Sequence, residues 1–143
     1  VSDLEALARE THKFESRYLD GHIGPYPERR DLYRKRSPIH RAHHIACPVI
    51  FLQGSEDRVV PPRQAETMVE ALLNKGLPIA YLLFEGEQHG FRRSGTVTLA
   101  LRAELAFYAR ALGFEPSSPS RWSDVHKLED VAVALSGMGD EEP

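Results

Sequence analysis

Cysteine, long apolar runs and an excess of charge of either sign are all scarce in this sequence. Cys47 is the sole cysteine, so no internal disulfide can form, and beside Pro48 we expect it to be a small core residue. The net charge of −3 over 143 residues is too small to indicate nucleic acid or a membrane surface as a partner. No apolar run approaches the ~20 residues of a membrane-spanning helix, and the acidic N-terminus is not a signal peptide. These absences favour a cytoplasmic, globular protein.

The first part of the chain has the pattern of short helices. Leu4, Leu7 and Ala8 have helical spacing after Ser2 or Asp3, either of which can act as an N-cap. A second, charged helix, "ERRDLYRKR", must end before the Ser-Pro pair at 37–38, because a residue that precedes proline is disfavoured in helical conformation. The sequence therefore predicts helices up to residue 36.

The middle of the chain alternates between apolar runs and helical patterns. "VIFLQG" (49–54) and "IAYLLF" (79–84) are short continuous apolar runs, typical of strands buried on both faces of a parallel sheet. The helix between them has an apolar face and ends near Gly76: Ala65, Met68, Val69, Leu72 and Leu73. The helix that follows has a predicted core stripe and ends at Gly113: Val97, Leu101, Leu105, Tyr108 and Leu112. Strand, helix, strand and helix predict an α/β fold with a crossover connection.

The composition changes after residue 114. "EPSSPSRWSD" is rich in proline and serine and reads as a linker. Val125, Leu128, Val131 and Leu135 then recur at roughly helical spacing. We therefore predict one domain over residues 1–114 and a linker with an amphipathic helical tail over residues 115–143.

Polar side chains follow both predicted strands. Asp57 lies in the loop after the first strand, and His89 lies in the loop after the second. The carboxyl ends of adjacent parallel strands meet at one edge of a sheet, which is where ligands bind in such folds. A carboxylate that orients a histidine corresponds to the acid and the base of a Ser-His-Asp triad, without its serine. The order in the chain, acid before histidine, is that of the α/β-hydrolases.

Each of these residues could instead have a structural role and take no part in catalysis. A histidine alone in a polar turn could have no catalytic role, and Asp57 could cap the helix that begins beyond Pro61. Glu85 and Glu87 are expected to cap the turn or to pair with the two arginines that follow, rather than to act chemically. The pairing of Asp57 with His89 in two successive loops favours the triad over these alternatives.

We expect neither a metal nor a cofactor. His40, His43 and His44 form the cluster "HRAHH", in which two histidines are one helical turn apart. No carboxylate or cysteine nearby completes a ligand set, and the preceding proline makes a regular helix doubtful. The cluster is therefore not interpreted as a zinc site.

Two of the loop sequences resemble those of a known family. "GSEDRVVPPRQAE" and "FEGEQHGFR" are similar to the acid and histidine loops of the prolyl oligopeptidase family of serine peptidases, especially its acylaminoacyl-peptidase-like and aminopeptidase-like members. "VSDLEAL", "THKFESRYLDG", "YRKRSPI" and "FYARALGF" also match, so the resemblance runs from Val1 to about Phe114. It implies the C-terminal half of an α/β-hydrolase fold, with Asp57 as triad acid and His89 as general base. Gly86 and Gly90 would let the loop turn.

The nucleophile of such an enzyme is not found in the sequence. No G-x-S-x-G motif occurs; Ser55 lies in the acid loop, and Ser94 has Arg92 where the motif needs glycine. The resemblance places the nucleophile upstream of Val1, together with the N-terminal half of the domain and a β-propeller. We therefore expect the chain to supply acid and base but no nucleophile, and to be inactive alone.

The implied partners are a peptide substrate and the N-terminal half of the same domain. The strand over 49–52 would lack one neighbour, so self-association through that edge is a further expectation. Two other functions stay open at this point. One is an esterase or dienelactone-hydrolase-like enzyme on the same fold. The other is a hydrolase-like interaction module without catalytic activity.

Overall fold

Two parallel strands with helices on both of their faces form the centre of the fold. The structure, a computed structural model, describes residues 1–10, 18–116 and 131–136. The elements follow in this order: α1 (Leu4–Glu10), α2 (Tyr18–His22), α3 (Arg30–Arg36), a 3₁₀ helix (Pro38–His44), β1 (Val49–Gly54), α4 (Arg63–Asn74), β2 (Ile79–Phe84), α5 (Ser94–Leu112) and β3 (Val131–Ser136).

The central βαβ unit is the one predicted from the apolar runs. β1 and β2 pair in parallel, with Val49 opposite Ile79 and Gly54 opposite Phe84. α4 connects them and ends just before Gly76, which has a φ of +76°. Because the two strands are parallel and in register, their carboxyl ends lie side by side, and the loops that follow them start next to each other.

The third strand corrects the prediction for the tail. Val131–Ser136 forms β3, which pairs antiparallel with β2 from Ile79 opposite Ser136 to Phe84 opposite Val131. The helix predicted here is wrong for these six residues. "VAVALS" alternates β-branched valine with alanine, a pattern typical of strands, and the second edge of β2 offers backbone groups to pair with. The rest of the predicted tail helix lies outside the described residues.

Each face of the strands is covered by a different helix. On one face, the α5 side chains Ala100, Ala103 and Phe107 pack on Ala80, Leu82 and Phe84 of β2. On the other face, Met68, Val69 and Leu72 of α4 and Ala42 of the 3₁₀ helix pack on Ile79 and Tyr81. The expectation of a strand buried on both faces is confirmed for β2, whereas residues 49–52 of β1 are only half-buried.

α5 buries a different stripe from the one predicted. Its buried residues are Ala100, Ala103, Ala106, Phe107 and Ala109. Of the predicted stripe, Leu101 is 61% exposed and Leu112 is 74% exposed. Val97 and Tyr108 are exposed as well. Alanine at the contact face lets the helix backbone lie close to the sheet, and this brings the larger side chains to the surface. The end of the helix at Gly113, with a φ of +70°, is as predicted.

The N-terminal helices are held to the core by buried polar groups. Asp3 caps α1, because its Oδ1 accepts hydrogen bonds from the backbone N–H groups of Glu5 and Ala6. The Gln64 side chain at the start of α4 accepts hydrogen bonds from the N–H groups of Ser2 (3.0 Å) and Asp3 (2.8 Å). These bonds fix the beginning of the chain beside α4.

Two expectations about the segment before β1 have different outcomes. α3 ends at Arg36 as predicted, and the 3₁₀ helix after it has no regular α-helical geometry. Cys47, by contrast, is exposed, so its assignment to the core is wrong. It lies in the connection before the strand begins, where the chain runs over the surface.

Candidate active site

Two loops at the carboxyl edge of the sheet are joined by backbone hydrogen bonds. We call residues 55–62 the acid loop and residues 85–93 the histidine loop. The N–H of Ser55 donates to the carbonyl of Phe84 (3.0 Å), and the N–H of Glu56 donates to the carbonyl of Glu87 (2.9 Å). The Ser55 hydroxyl also accepts a hydrogen bond from the N–H of Gly86 (2.9 Å). The two loops therefore form one continuous surface.

Asp57 and His89 meet across these loops. Asp57 Oδ2 lies 2.9 Å from His89 Nδ1, so the predicted contact between the two side chains is confirmed. Asp57 is buried, whereas the His89 side chain is 56% exposed. Because an ionised carboxylate only accepts hydrogen bonds, Nδ1 donates, and Nε2 of the neutral ring is left as an acceptor on the exposed edge. A base oriented in this way can take a proton from a group placed above the loops.

The Asp57 carboxylate is held in its ionised form. Its Oδ1 accepts hydrogen bonds from the N–H groups of Val59 (2.9 Å) and Val60 (2.8 Å). Burial raises the pKa of Asp57, but the hydrogen bonds from Val60, His89 and Val59, together with the electrostatic effect of His89, outweigh burial and lower the pKa overall. The alternative role as a cap of α4 is wrong, because the N-cap of that helix is Pro62 and no side chain caps it.

Glu87 is an acid whose burial the sequence did not indicate. It is 3% exposed, and its carboxylate accepts hydrogen bonds from the N–H groups of Arg92 (2.9 Å) and Arg93 (3.1 Å). The Arg92 hydrogen bond lowers the pKa of Glu87, against the effect of burial. The expected capping of the turn is thus confirmed for Glu87. A carboxylate shortly before a long helix was the available signal.

Three glycines allow the loops their close approach. Gly86 (φ +68°) and Gly90 (φ +98°) have left-handed backbone conformations, as their predicted role in the turn requires. Gly54, which lies at the end of β1 and belongs to no turn signal in the sequence, lies under the histidine loop. A Cβ atom there would be 2.5 Å from the carbonyl oxygens of both Glu87 and Gln88. Only glycine fits at this position without displacing the loop.

The remaining candidates from the sequence lie elsewhere or have other contacts. His40, His43 and His44 belong to the 3₁₀ helix that precedes β1 and packs beside α4, and none of them lies in the acid loop or the histidine loop. Within the described ranges, no three histidine, cysteine or acidic side chains are grouped so that they could hold a metal ion. Among those same residues, no helix is both long and apolar enough to cross a membrane.

Comparison with known proteins identifies a family that matches most of this chain. The sequence profile of the prolyl oligopeptidase family matches residues 1–115. A solved puromycin-hydrolysing peptidase of Mycobacterium tuberculosis is 55% identical and superimposes with a TM-score of 0.79, over 82% of this chain and 18% of the other. That peptidase therefore shares the fold of these residues.

Two curated relatives show the range of the similarity. Dipeptidyl peptidase family member 6 of Caenorhabditis elegans is 35% identical over 108 residues, which are 74% of this chain and 15% of the relative. Esterase LipC of Mycobacterium tuberculosis is 37% identical over 70 residues, which are 48% of this chain and 17% of the relative. The chain thus spans less than a fifth of the length of each of these proteins.

Proposed function

The chain belongs to the prolyl oligopeptidase family, and we propose that Asp57 and His89 are the acid and the base of its serine peptidase site. The observation that carries this proposal is the 2.9 Å hydrogen bond from an exposed imidazole to a buried, ionised carboxylate. In a Ser-His-Asp triad the acid orients the histidine and stabilises the imidazolium that forms during the reaction. Asp57 has the burial, charge and contacts for that role.

The nucleophile of the proposed reaction is a serine from a longer protein that contains these residues. His89 Nε2 accepts the hydroxyl proton as the serine oxygen attacks the substrate carbonyl, and the proton then passes to the leaving amine. Two observations support a nucleophile that lies outside these 143 residues. The 143 residues contain no G-x-S-x-G motif, and the chain matches less than a fifth of its relatives' length.

The names of two relatives support a proposal for the substrate class. The peptidase that is 55% identical is described as puromycin-hydrolysing, and a second relative is named as a dipeptidyl peptidase. We expect the complete enzyme to cleave peptides or aminoacyl amides, with puromycin as the first substrate to test.

The test uses the full-length protein that contains this chain. His89→Ala and Asp57→Asn should each lower kcat for an aminoacyl p-nitroanilide by roughly 10⁴-fold, as in other triads. His40→Ala, which removes an exposed histidine of the 3₁₀ helix, is the matched control and should be close to wild type. The 143-residue chain alone should show no turnover. Wild-type activity of His89→Ala would refute the proposal.

A second candidate function is ester hydrolysis on the same site. The similarity to an esterase favours it over other chemistries. The two functions differ in the leaving group, so an amide and an ester with the same acyl group should be compared by kcat/KM. A peptidase cleaves both, whereas an esterase cleaves only the ester at a useful rate. Absence of turnover with either substrate would favour the interaction module without catalytic activity.

A further inference from the structure

Glu87 connects three parts of the candidate site. Its backbone carbonyl accepts the N–H of Glu56, the residue directly before Asp57, at 2.9 Å. Its carboxylate accepts the N–H groups of Arg92 and Arg93, directly before α5. Its side chain is almost fully buried. The same residue therefore contacts the acid loop with its backbone and the start of a 19-residue helix with its carboxylate.

We propose that Glu87 is a positioning residue, one that fixes the place of the His89 imidazole relative to Asp57; this inference rests on the proposed function. His89 lies within the segment that the Glu87 carboxylate closes by bonding to residues 92 and 93. The imidazole itself has more than half of its surface exposed. Apart from the hydrogen bond to Asp57, its position is therefore set by the backbone of the loop, and the loop geometry depends on what closes the loop.

The charge of Glu87 is part of this role. Both carboxylate oxygens accept a backbone N–H, one from Arg92 and one from Arg93. Glutamine has almost the same shape, but it would present an NH₂ group to one of these two donors. Charge-assisted bonds to backbone N–H groups are also stronger than neutral ones. Glu87→Gln therefore removes one closing bond and weakens the other, with little change in volume.

Loss of Glu87 should loosen the loop without unfolding it. The Arg93 guanidinium donates a separate hydrogen bond to the carbonyl of Glu85 at 3.1 Å. The Ser55 hydroxyl still accepts the N–H of Gly86. These contacts do not involve the Glu87 carboxylate, so part of the loop closure survives its removal.

The experiment compares Glu87→Gln with Glu85→Gln in the full-length enzyme. Glu85 is a matched control, because it is an acid of the same loop whose side chain is exposed. We expect Glu87→Gln to lower kcat about 10- to 100-fold, since small misplacements of a reacting group have effects of that size. KM should change by less than about threefold, because the Glu87 side chain is buried and offers no surface for a substrate to contact. Glu85→Gln should match wild type in both constants.

A spectroscopic measurement separates positioning from folding. In the wild type, the Nδ1 proton of His89 should give a downfield-shifted signal in the proton NMR spectrum of histidine-labelled enzyme. The signal should be lost or broadened in Glu87→Gln and kept in Glu85→Gln, while circular dichroism shows both variants folded. A kcat that falls only in proportion to the folded fraction, with the signal intact, would overturn the proposal.

The activity of His89→Ala shows whether the positioning role of Glu87 fails alone or the proposed function fails with it. An inactive His89→Ala with a fully active Glu87→Gln would overturn the positioning role alone and leave the proposed function standing. An active His89→Ala would overturn both, because nothing would then depend on where the imidazole lies.

Discussion

At the scale of single residues, Gly54 decides how closely the two loops approach each other. The nearest atoms to a Cβ built at this position are backbone atoms of Glu87 and Gln88, all within 2.7 Å. Backbone atoms inside a hydrogen-bonded loop cannot move aside as the end of a flexible side chain can. The hydrogen of glycine is therefore what allows the histidine loop to lie over the end of β1.

Gly54→Ala should consequently disturb both folding and activity. We expect a loss of about 1–3 kcal/mol in the free energy of unfolding, the usual cost of overpacking, together with a lower kcat. Gly95→Ala is the control, because a Cβ there meets no atom within 4 Å. As a helical position in α5, it should be neutral or gain up to about 1 kcal/mol. Urea denaturation and kcat measurements on the full-length enzyme test both variants, and equal stability of the two would contradict the steric argument.

At the scale of elements, α5 shows how packing selects between two apolar faces of one helix. The helix has large apolar residues on one side and alanines with Phe107 on another. The partner surface already contains the large side chains Leu82 and Phe84 of β2. Small residues complement large ones when a helix packs on such a surface. The alanine face is therefore the buried one.

Substitutions on the buried face of α5 should destabilise the fold more than substitutions on its exposed face. Ala103 is fully buried, so Ala103→Leu should destabilise the 143-residue chain by about 1–3 kcal/mol through overpacking. Leu101 is 61% exposed, so Leu101→Ala should cost less than about 1 kcal/mol. Chemical denaturation followed by circular dichroism measures both. The reverse order of effects would show that the stripe predicted from the sequence is the packed one.

At the scale of the whole molecule, β1 is an edge strand within the described part of the chain. β2 pairs with β1 on one side and with β3 on the other, whereas β1 pairs only with β2 there. The N–H groups of Val49 and Ser55 donate toward the β2 side. Because parallel strands alternate the direction of their backbone groups, Ile50 and Leu52 direct theirs to the free side. Leu101, Tyr108 and Leu112 are exposed on α5, which also contacts β1.

This free edge predicts that the isolated 143-residue chain self-associates. Unpaired backbone groups on an apolar edge recruit further strands, and the exposed apolar side chains of α5 add to the same tendency. Sedimentation velocity should show the mass rising with protein concentration. Amide exchange at Ile50 and Leu52 should slow in parallel. A chain that stays monomeric at high concentration, with slow exchange at these two residues, would show that the edge is already covered.

What the sequence by itself determined lies in short local patterns. The runs of β1 and β2, the end of α3 before Ser37 and the end of α4 before Gly76 each depend on neighbours within a few residues. The contact between Asp57 and His89 also followed, since the ends of adjacent parallel strands must meet and the loop sequences resemble a known family.

Only the tertiary structure decided the features that depend on atoms distant in the chain. Val131–Ser136 pairs as a strand because β2 offers an edge about 50 residues earlier, although its apolar spacing also suited a helix. The buried face of α5 depends on the side chains of β2, and the need for glycine at 54 depends on the carbonyl groups of Glu87 and Gln88. Glu87 and Glu85 are the same amino acid in one loop, yet only Glu87 is buried. Propensity and residue spacing depend only on neighbours in the chain, so they could not predict features that depend on contacts between distant residues.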